Sequence, residues 1–449
     1  MERLFHYIDE NKDLYIGWLQ ELCRIPSVAA QNRRMEEAAN KVLHDLQVYT
    51  KASARLIETK GFPVVFGEIK GKTSRTLSFY NHYDVQPEDP VELWDVDPFA
   101  AEIVDGKLIA RGAADNKGNL MARIAAVHAY QQVYGELPIN IKFIVEGEEE
   151  IGSPNLGDFA ENNKELLQAD GCIWEFGYKN ADGRQQISLG VKGMVYVELI
   201  CKGANTDLHS ANAAIIENPA WRLIWALESM KNKENQVLIP GFYDDVAELT
   251  QEDYQLTKQF IFSEEETKEK LGIQNFVNNL TGEALKRQLI FSPTCNICGF
   301  ESGYTDEGAK TVLPSWAKVK LDFRLVPNQD PHKIVKQIRE HLDHNGFADI
   351  EMNVYGLEYP ARTAPDHPLV QSVVNAAEYV TKMEPTILPM SPGTGPMYEL
   401  CQKFGIPAVS VGVGNFESNN HAPNENILIK DYIDGIKVIA KVIEEFAKQ

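Results

Sequence analysis

The 449-residue sequence contains no long hydrophobic run. Stretches such as residues 223–227 fall far short of the ~20 apolar residues a spanning helix needs, so no membrane partner is expected. The first ten residues, Met-Glu-Arg-Leu-Phe-His-Tyr-Ile-Asp-Glu, lack the basic start, apolar stretch and small-residue cleavage site of a signal peptide. Cysteine is sparse: six residues at irregular spacings exclude a disulfide framework and fit reduced thiols in a cytoplasmic protein. Basic residues are outnumbered, 44 Lys and Arg against 65 Asp and Glu, for a formal net charge of −21. So acidic a surface repels phosphate backbones, and no nucleic-acid partner is expected. There is no internal repeat, no low-complexity tract and no Gly-x-Ser-x-Gly elbow of a serine hydrolase. What is present is an ordinary globular composition, 44% hydrophobic and 24% charged. At ~150 residues per domain, the length allows two to three domains.

Up to about residue 188, helical and strand patterns alternate. Leu14, Trp18 and Leu22 share one helical face, and residues 33–49 suit a second helix. Leu120, Ile124, Val127, Tyr130 and Tyr134 recur at spacings of 4, 3, 3 and 4. Apolar runs at 64–66, 77–80, 139–145 and 171–174 read as strands. Strands alternating with helices predict an α/β fold with a mostly parallel sheet and helices on both faces. Near residue 190 the texture changes. Val195, Val197 and Leu199 alternate with other residues, and Val319, Leu321, Phe323 and Leu325 alternate with Lys320, Asp322 and Arg324. Strict alternation suits a sheet with one solvated face. Residues 240–290 are polar and helix-like. After Pro360 the first texture returns, with a helix near 368–381, a strand at 407–413 and a final helix carrying Tyr432, Ile436, Ile439, Ile443 and Phe446. The expectation is a discontinuous catalytic domain, residues 1–189 and 359–449, interrupted by an α+β insert over residues 190–358.

Histidines and carboxylates gather where the first domain's strands are expected to end. One strand runs into His82-Tyr83-Asp84, another into Glu146-Gly147-Glu148-Glu149-Glu150, a third into Glu175, and the strand near 407–413 leads to a loop holding His421. Asp115 precedes the helix that begins near Lys117. In an open parallel sheet, sites form at the carboxyl ends of the strands. These donors suit Zn²⁺ or a related divalent ion such as Mn²⁺. In His82-x-Asp84 both side chains point the same way off an extended backbone, so one can bind an ion while the other orients it. Adjacent Glu149 and Glu150 diverge: one can bind an ion while the other serves as general base. Asp115 is the candidate bridge between two ions. Taken singly, Asp115 also suits a helix N-cap and Glu148–Glu150 an acidic loop; it is the convergence that argues for a site.

The runs Asn81-His82-Tyr83-Asp84-Val85-Gln86-Pro87, Asp97-Pro98-Phe99 after Trp94, Arg111-Gly112-Ala113-Ala114-Asp115-Asn116-Lys117-Gly118 and Glu146-Gly147-Glu148-Glu149-Glu150-Ile151-Gly152-Ser153 resemble the co-catalytic zinc metallopeptidases of clan MH. That family includes carnosinase, cytosolic non-specific dipeptidase, glutamate carboxypeptidase and aminoacylase. The resemblance implies a zinc domain interrupted by a lid or dimerisation domain, two divalent metal ions per subunit (Zn, with Mn or Co as alternatives) and a homodimer. It also implies roles. His82 would bind one ion, with Asp84 supporting it. Asp115 would bridge both ions, and Glu149 would be the general base. Glu150 and His421 would bind the second ion, and Glu175 the first. In the insert, His209 in Asp207-Leu208-His209-Ser210 would complete the partner subunit's site, and Arg324 would hold a substrate carboxylate. Thr394 and Gly395, in Ser391-Pro392-Gly393-Thr394-Gly395-Pro396, would belong to a substrate loop.

The function expected is hydrolysis of the peptide bond in dipeptides or other small peptides with a free carboxylate. Glu175 keeps an N-acyl-amino-acid deacylase open, of deacetylase or desuccinylase type. In the family, dipeptidases commonly carry Asp at that position and deacylases Glu. A non-catalytic scaffold is the third reading. Cys295-x-x-Cys298 has no second pair, and residues 67–73 have one residue too few between their glycines for a P-loop, so neither is given a role.

Overall fold

A computed structural model describes residues 1–449, which divide into two compact units. The first comprises residues 1–190, 362–389 and 396–449; the second comprises residues 191–361 and 390–395. The sequence reading placed all of 359–449 in the first unit. Residues 359–361 continue the second unit and 390–395 join it, the latter because the strand Ser391–Thr394 pairs in parallel with Val191 and Lys192.

The first unit is built on an eight-stranded mixed sheet. Its strands lie in the order Ser53–Ile57, Val64–Ile69, Asn140–Glu146, Thr76–His82, Gly171–Trp174, Ala408–Ser410, Gln186–Ser188 and Thr386–Leu388. The four strands from Asn140–Glu146 to Ala408–Ser410 are mutually parallel, while the Ser53–Ile57 side is antiparallel. Parallel strands covered on both faces should be buried along their whole length. Every residue of Thr76–His82 and of Gly171–Trp174 is. The helix Gly118–Tyr134 is buried nearly all round and packs against Ile429–Phe446, which in turn packs against Pro368–Thr381. The spacing read for the last helix is confirmed by burial of Tyr432, Ile436, Ile439, Ile443 and Phe446. Each such side chain contributes roughly 1.5–3 kcal/mol when fully buried. One expectation fails: Leu14 is exposed, because Tyr15, Trp18, Leu19 and Leu22 form the inner face of Lys12–Cys23.

The second unit centres on an antiparallel sheet, Thr294–Ser302, Trp316–Leu325, Gly190–Lys202 and Glu351–Glu358 in that order. Register pairs Val195 with Phe323, Val197 with Leu321 and Leu199 with Val319. These alternating residues form one core with Leu223, Ala226 and Met230 of Pro219–Met230 and Ile334, Ile338 and Leu342 of Pro331–His344. No helix of the chain is long and apolar enough to cross a membrane.

Candidate metal centre

Parallel register sets the site. His82 stands opposite Glu146, and Trp174 opposite Ser410, so neighbouring strands end at one edge. The residues just beyond these ends are Asp84, Glu148–Glu150 and Glu175, and the turn Ala113–Lys117, leading into Gly118–Tyr134, adds Asp115. Gly112 opens that turn at φ +86°, where a Cβ would come 2.6 Å from Val85 Cγ1. Only glycine takes this backbone and this contact without strain. His421 sits at φ +60° in its loop, a left-handed backbone uncommon outside glycine but one that histidine, with Asn and Asp, takes more often than other residues.

Asp115 divides the cluster in two. Its Oδ1 lies 3.2 Å from His82 Nε2, and its Oδ2 lies 3.1 Å from His421 Nε2. Beside His82 stands Glu175, with Oε2 3.5 Å from Nε2. Beside His421 stands Glu150, with Oε2 3.2 Å from Nε2. Each half thus holds one imidazole, one terminal carboxylate and one oxygen of a shared carboxylate. Glu149 joins the His82 side, its ligand atom within 4.8 Å of those of His82 and Glu150. Asp84 is fully buried; its Oδ1 lies 3.3 Å from His82 Nδ1, and its Oδ2 accepts the Glu150 N–H at 3.0 Å.

The electrostatics point to missing positive charge. Burial works to discharge His82, but hydrogen bonds with Asp115 and Asp84 and the charges of Glu149 and Glu175 hold its pKa well above the usual imidazole value. Hydrogen bonds with Asp115 and Glu150 raise His421 to about 10. Burial would raise Asp115, yet His421 and His82 together bring it below the ordinary carboxyl range. Burial, reinforced by the Glu175 charge, pushes Glu149 well above its usual value. Burial likewise lifts Glu175 to about 7, with His82 opposing and Asp115 and Glu150 adding. Five carboxylates facing two imidazoles form an excess that divalent cations offset. Buried oxygens of Glu150 (Oε1) and Glu175 (Oε2) lack a hydrogen-bond partner. Buried polar atoms are rarely left so, and these are free to bind a cation. The donor set of imidazole nitrogens and carboxylate oxygens fits two ions of the Zn or Mn class.

Several residues that hold the candidate ligands carry no role in the sequence analysis. Arg123, buried, donates to Asn81 Oδ1 at 2.6 Å and to the carbonyls of Tyr80, Trp174 and Glu175, fixing two strand ends at once. Asn116 Nδ2 donates to the Glu175 carbonyl at 2.9 Å. Glu425, fully buried, pairs with Arg111 at 2.7 Å. Arg111 opens the run Arg111–Gly118 that holds Asp115, whereas nothing beside Glu425 in sequence marks it.

The remaining candidates lie in the second unit. His209 ends the short strand Leu208–His209, is exposed, and accepts the Ala211 N–H on Nδ1 at 3.1 Å. Arg324 is held by two neighbours: Nε donates to Asp322 Oδ2 at 3.0 Å, and Nη1 donates to Thr394 Oγ1 at 2.6 Å. Gly395 follows Thr394 at the end of that segment.

Residues 78–445 match peptidase family M20/M25/M40. A solved M20 family metallo-carboxypeptidase from Sulfolobus solfataricus is 42% identical and superposes with a TM-score of 0.93, over 97% of this chain and 99% of that one. The Beta-Ala-His dipeptidase of Mus musculus is 29% identical over 100% of this chain and 96% of its own length. A Cys-Gly metallodipeptidase of Schizosaccharomyces pombe is 26% identical over 100% of this chain and 98% of its own length. These relatives are peptidases, and they do not favour the deacylase alternative read from Glu175.

Proposed function

The chain belongs to peptidase family M20/M25/M40 and is a metallopeptidase, and from that premise we propose that it hydrolyses the peptide bond of dipeptides and short peptides that end in a free carboxylate. The observation that carries this reading is the Asp115 carboxylate, which presents one oxygen beside His82 and the other beside His421. His82, Asp115 and Glu175 would hold one ion, and Asp115, Glu150 and His421 the other. Zn is the ion proposed, with Mn and Co as substitutes. Two cations held there would supply Lewis-acid polarisation of the scissile carbonyl and would acidify a water. Glu149 takes the proton of the attacking water and returns it to the leaving amine. Arg324, preset by Asp322 and Thr394, binds the substrate carboxylate through its planar fork. His209 supplies a hydrogen bond to the oxyanion of the partner subunit's site, so the working unit is a homodimer. A cytoplasmic setting is part of this reading, supported by six free cysteines.

The test is a panel of dipeptides, tripeptides, N-acetyl and N-succinyl amino acids assayed with Zn²⁺ or Mn²⁺, alongside Glu149→Gln. Turnover of free-carboxylate peptides is expected, with Glu149→Gln retaining both ions and losing 10²–10⁴-fold in kcat. Preference for the acylated amino acids, or near-normal turnover by Glu149→Gln, would defeat the proposal.

A further inference from the structure

Outside the ion-binding side chains lies a second constellation, fully buried and more densely bonded than the site itself. Glu425 accepts four hydrogen bonds. Arg111 Nη1 and the Gly112 N–H reach its Oε2 at 2.7 and 3.0 Å, and the N–H groups of Ala114 and Asp115 reach its Oε1 at 2.9 Å each. Two of these donors are the backbone of the bridging aspartate and its neighbour. Arg111 spreads further: Nη1 also donates to the Ala422 carbonyl at 3.3 Å, and Nη2 donates to the Pro87 carbonyl at 3.1 Å. Ala422 follows His421, and Pro87 follows the His82–Asp84 segment. The backbone closes the arrangement, since the Ala110 N–H donates to the Glu425 carbonyl at 3.0 Å and Asn426–Leu428 pairs with Lys107–Ile109. One ion pair therefore touches three separate chain segments that carry ligands.

We propose that the Arg111–Glu425 pair is the positioning device of the metal centre, fixing the distance between Asp115 and His421 and with it the affinity and geometry of the bound ions. Neither residue belongs to the groups that could hold an ion; both act through backbone. The inference rests on the two-metal reading above. A charged acceptor shared by two consecutive N–H groups and a guanidinium is stiffer than a neutral one, because charge-assisted hydrogen bonds are stronger and shorter. Groups that orient ligands from behind typically change metal affinity 10–100-fold when altered.

The experiment compares the full chain with Glu425→Gln, Arg111→Lys and a core control, Val65→Ala, which lies on the Val64–Ile69 strand. The measurements are Zn²⁺ affinity by competition with a chromophoric chelator, the visible spectrum of the Co²⁺-loaded protein, and thermal unfolding. Glu425→Gln keeps the side-chain shape but turns one acceptor oxygen into a donor facing existing N–H groups. Both site variants are expected to bind Zn²⁺ 10–100-fold more weakly and to shift the Co²⁺ bands. Val65→Ala is expected to lose thermal stability while keeping affinity and spectrum. Wild-type affinity and spectrum in both site variants overturn the inference, as does an equal loss of affinity in Val65→Ala. Should Glu425→Gln not fold, Arg111→Lys decides, because it keeps a cation against Glu425. A wild-type chain that takes up fewer than two ions overturns the metal reading and this inference together; a wild type that binds two ions, with variants that match it, overturns the inference alone.

Discussion

The carboxylate of Asp84 lies between the two halves of the candidate metal centre, with one oxygen 3.3 Å from His82 Nδ1 and the other accepting the Glu150 N–H at 3.0 Å. His82 Nδ1 hydrogen-bonds the Asp84 main-chain carbonyl at 3.1 Å, so Asp84 meets one candidate ligand through main chain and nearby charge and the other through its carboxylate Oδ2. Asp84→Asn keeps the shape but turns one of these oxygens into a donor, opposing either the His82 ring or the Glu150 N–H. The variant should fold, and its Zn²⁺ affinity should fall 10–100-fold, read by chelator competition. Unchanged affinity would mean that Asp84 is a packing residue.

Metal uptake should be strongly pH-dependent, with a sign that follows from the site. His421, lifted from 6.5 to about 10 by Asp115 and Glu150, is protonated at pH 7 in the metal-free chain. Ion binding needs the neutral ring, so uptake must expel that proton. Calorimetry at pH 7 in buffers of different ionisation enthalpy should show proton release, and affinity should fall as pH is lowered. The same shift acts on the metal-free fold. A raised histidine pKa contributes stability that is fully present below about 6.5 and is lost as pH rises through about 10. Thermal unfolding of the metal-free protein should therefore weaken from pH 7 to 10, while the loaded protein, whose histidines carry no exchangeable charge, should change less.

Which parts of this site were legible followed from how far each depends on local pattern. His82 and Glu175 stand at the ends of apolar runs that read as strands, and Glu149 and Glu150 lie a few residues past another, so their place at a sheet edge could be read from neighbours in sequence. The alternation in 195–199 and 319–325 likewise became paired strands with one buried face. Glu425 could not be found this way. Its role depends on Asn426–Leu428 pairing with Lys107–Ile109, more than 300 residues earlier, and strands of three residues are too short to show a period. One local clue did exist there. Asp105 and Gly106, at φ +49° and +77°, form the turn of a hairpin joining Glu102–Val104 to Lys107–Ile109, and Asp-Gly is a strong hairpin signal.

Arg324 gives a prediction that separates carboxylate binding from chemistry. Asp322 and Thr394 hold its guanidinium from two sides, so the fork is set before substrate arrives. Arg324→Lys keeps the charge but loses the paired geometry. KM for a dipeptide should rise at least tenfold, with a smaller change in kcat. A dipeptide amide, which offers no carboxylate, should be turned over poorly by both proteins and with similar KM. A KM increase of equal size for the amide would place Arg324 in the fold of the segment and not in substrate binding.

The proposal that His209 serves the partner subunit can be read from mixed dimers. Glu149→Gln removes the base and His209→Ala the oxyanion donor, so each variant alone should be nearly inactive. In a heterodimer of the two, the site with an intact Glu149 would receive His209 from the Glu149→Gln chain and be complete. The other site would lack both groups. Random exchange at equal concentrations makes half the dimers mixed, each with one working site of two, so activity should recover to about a quarter of wild type. Subunit exchange would be verified by mass-tagged chains. Full exchange with no recovery would place His209 in its own subunit's site or outside the chemistry.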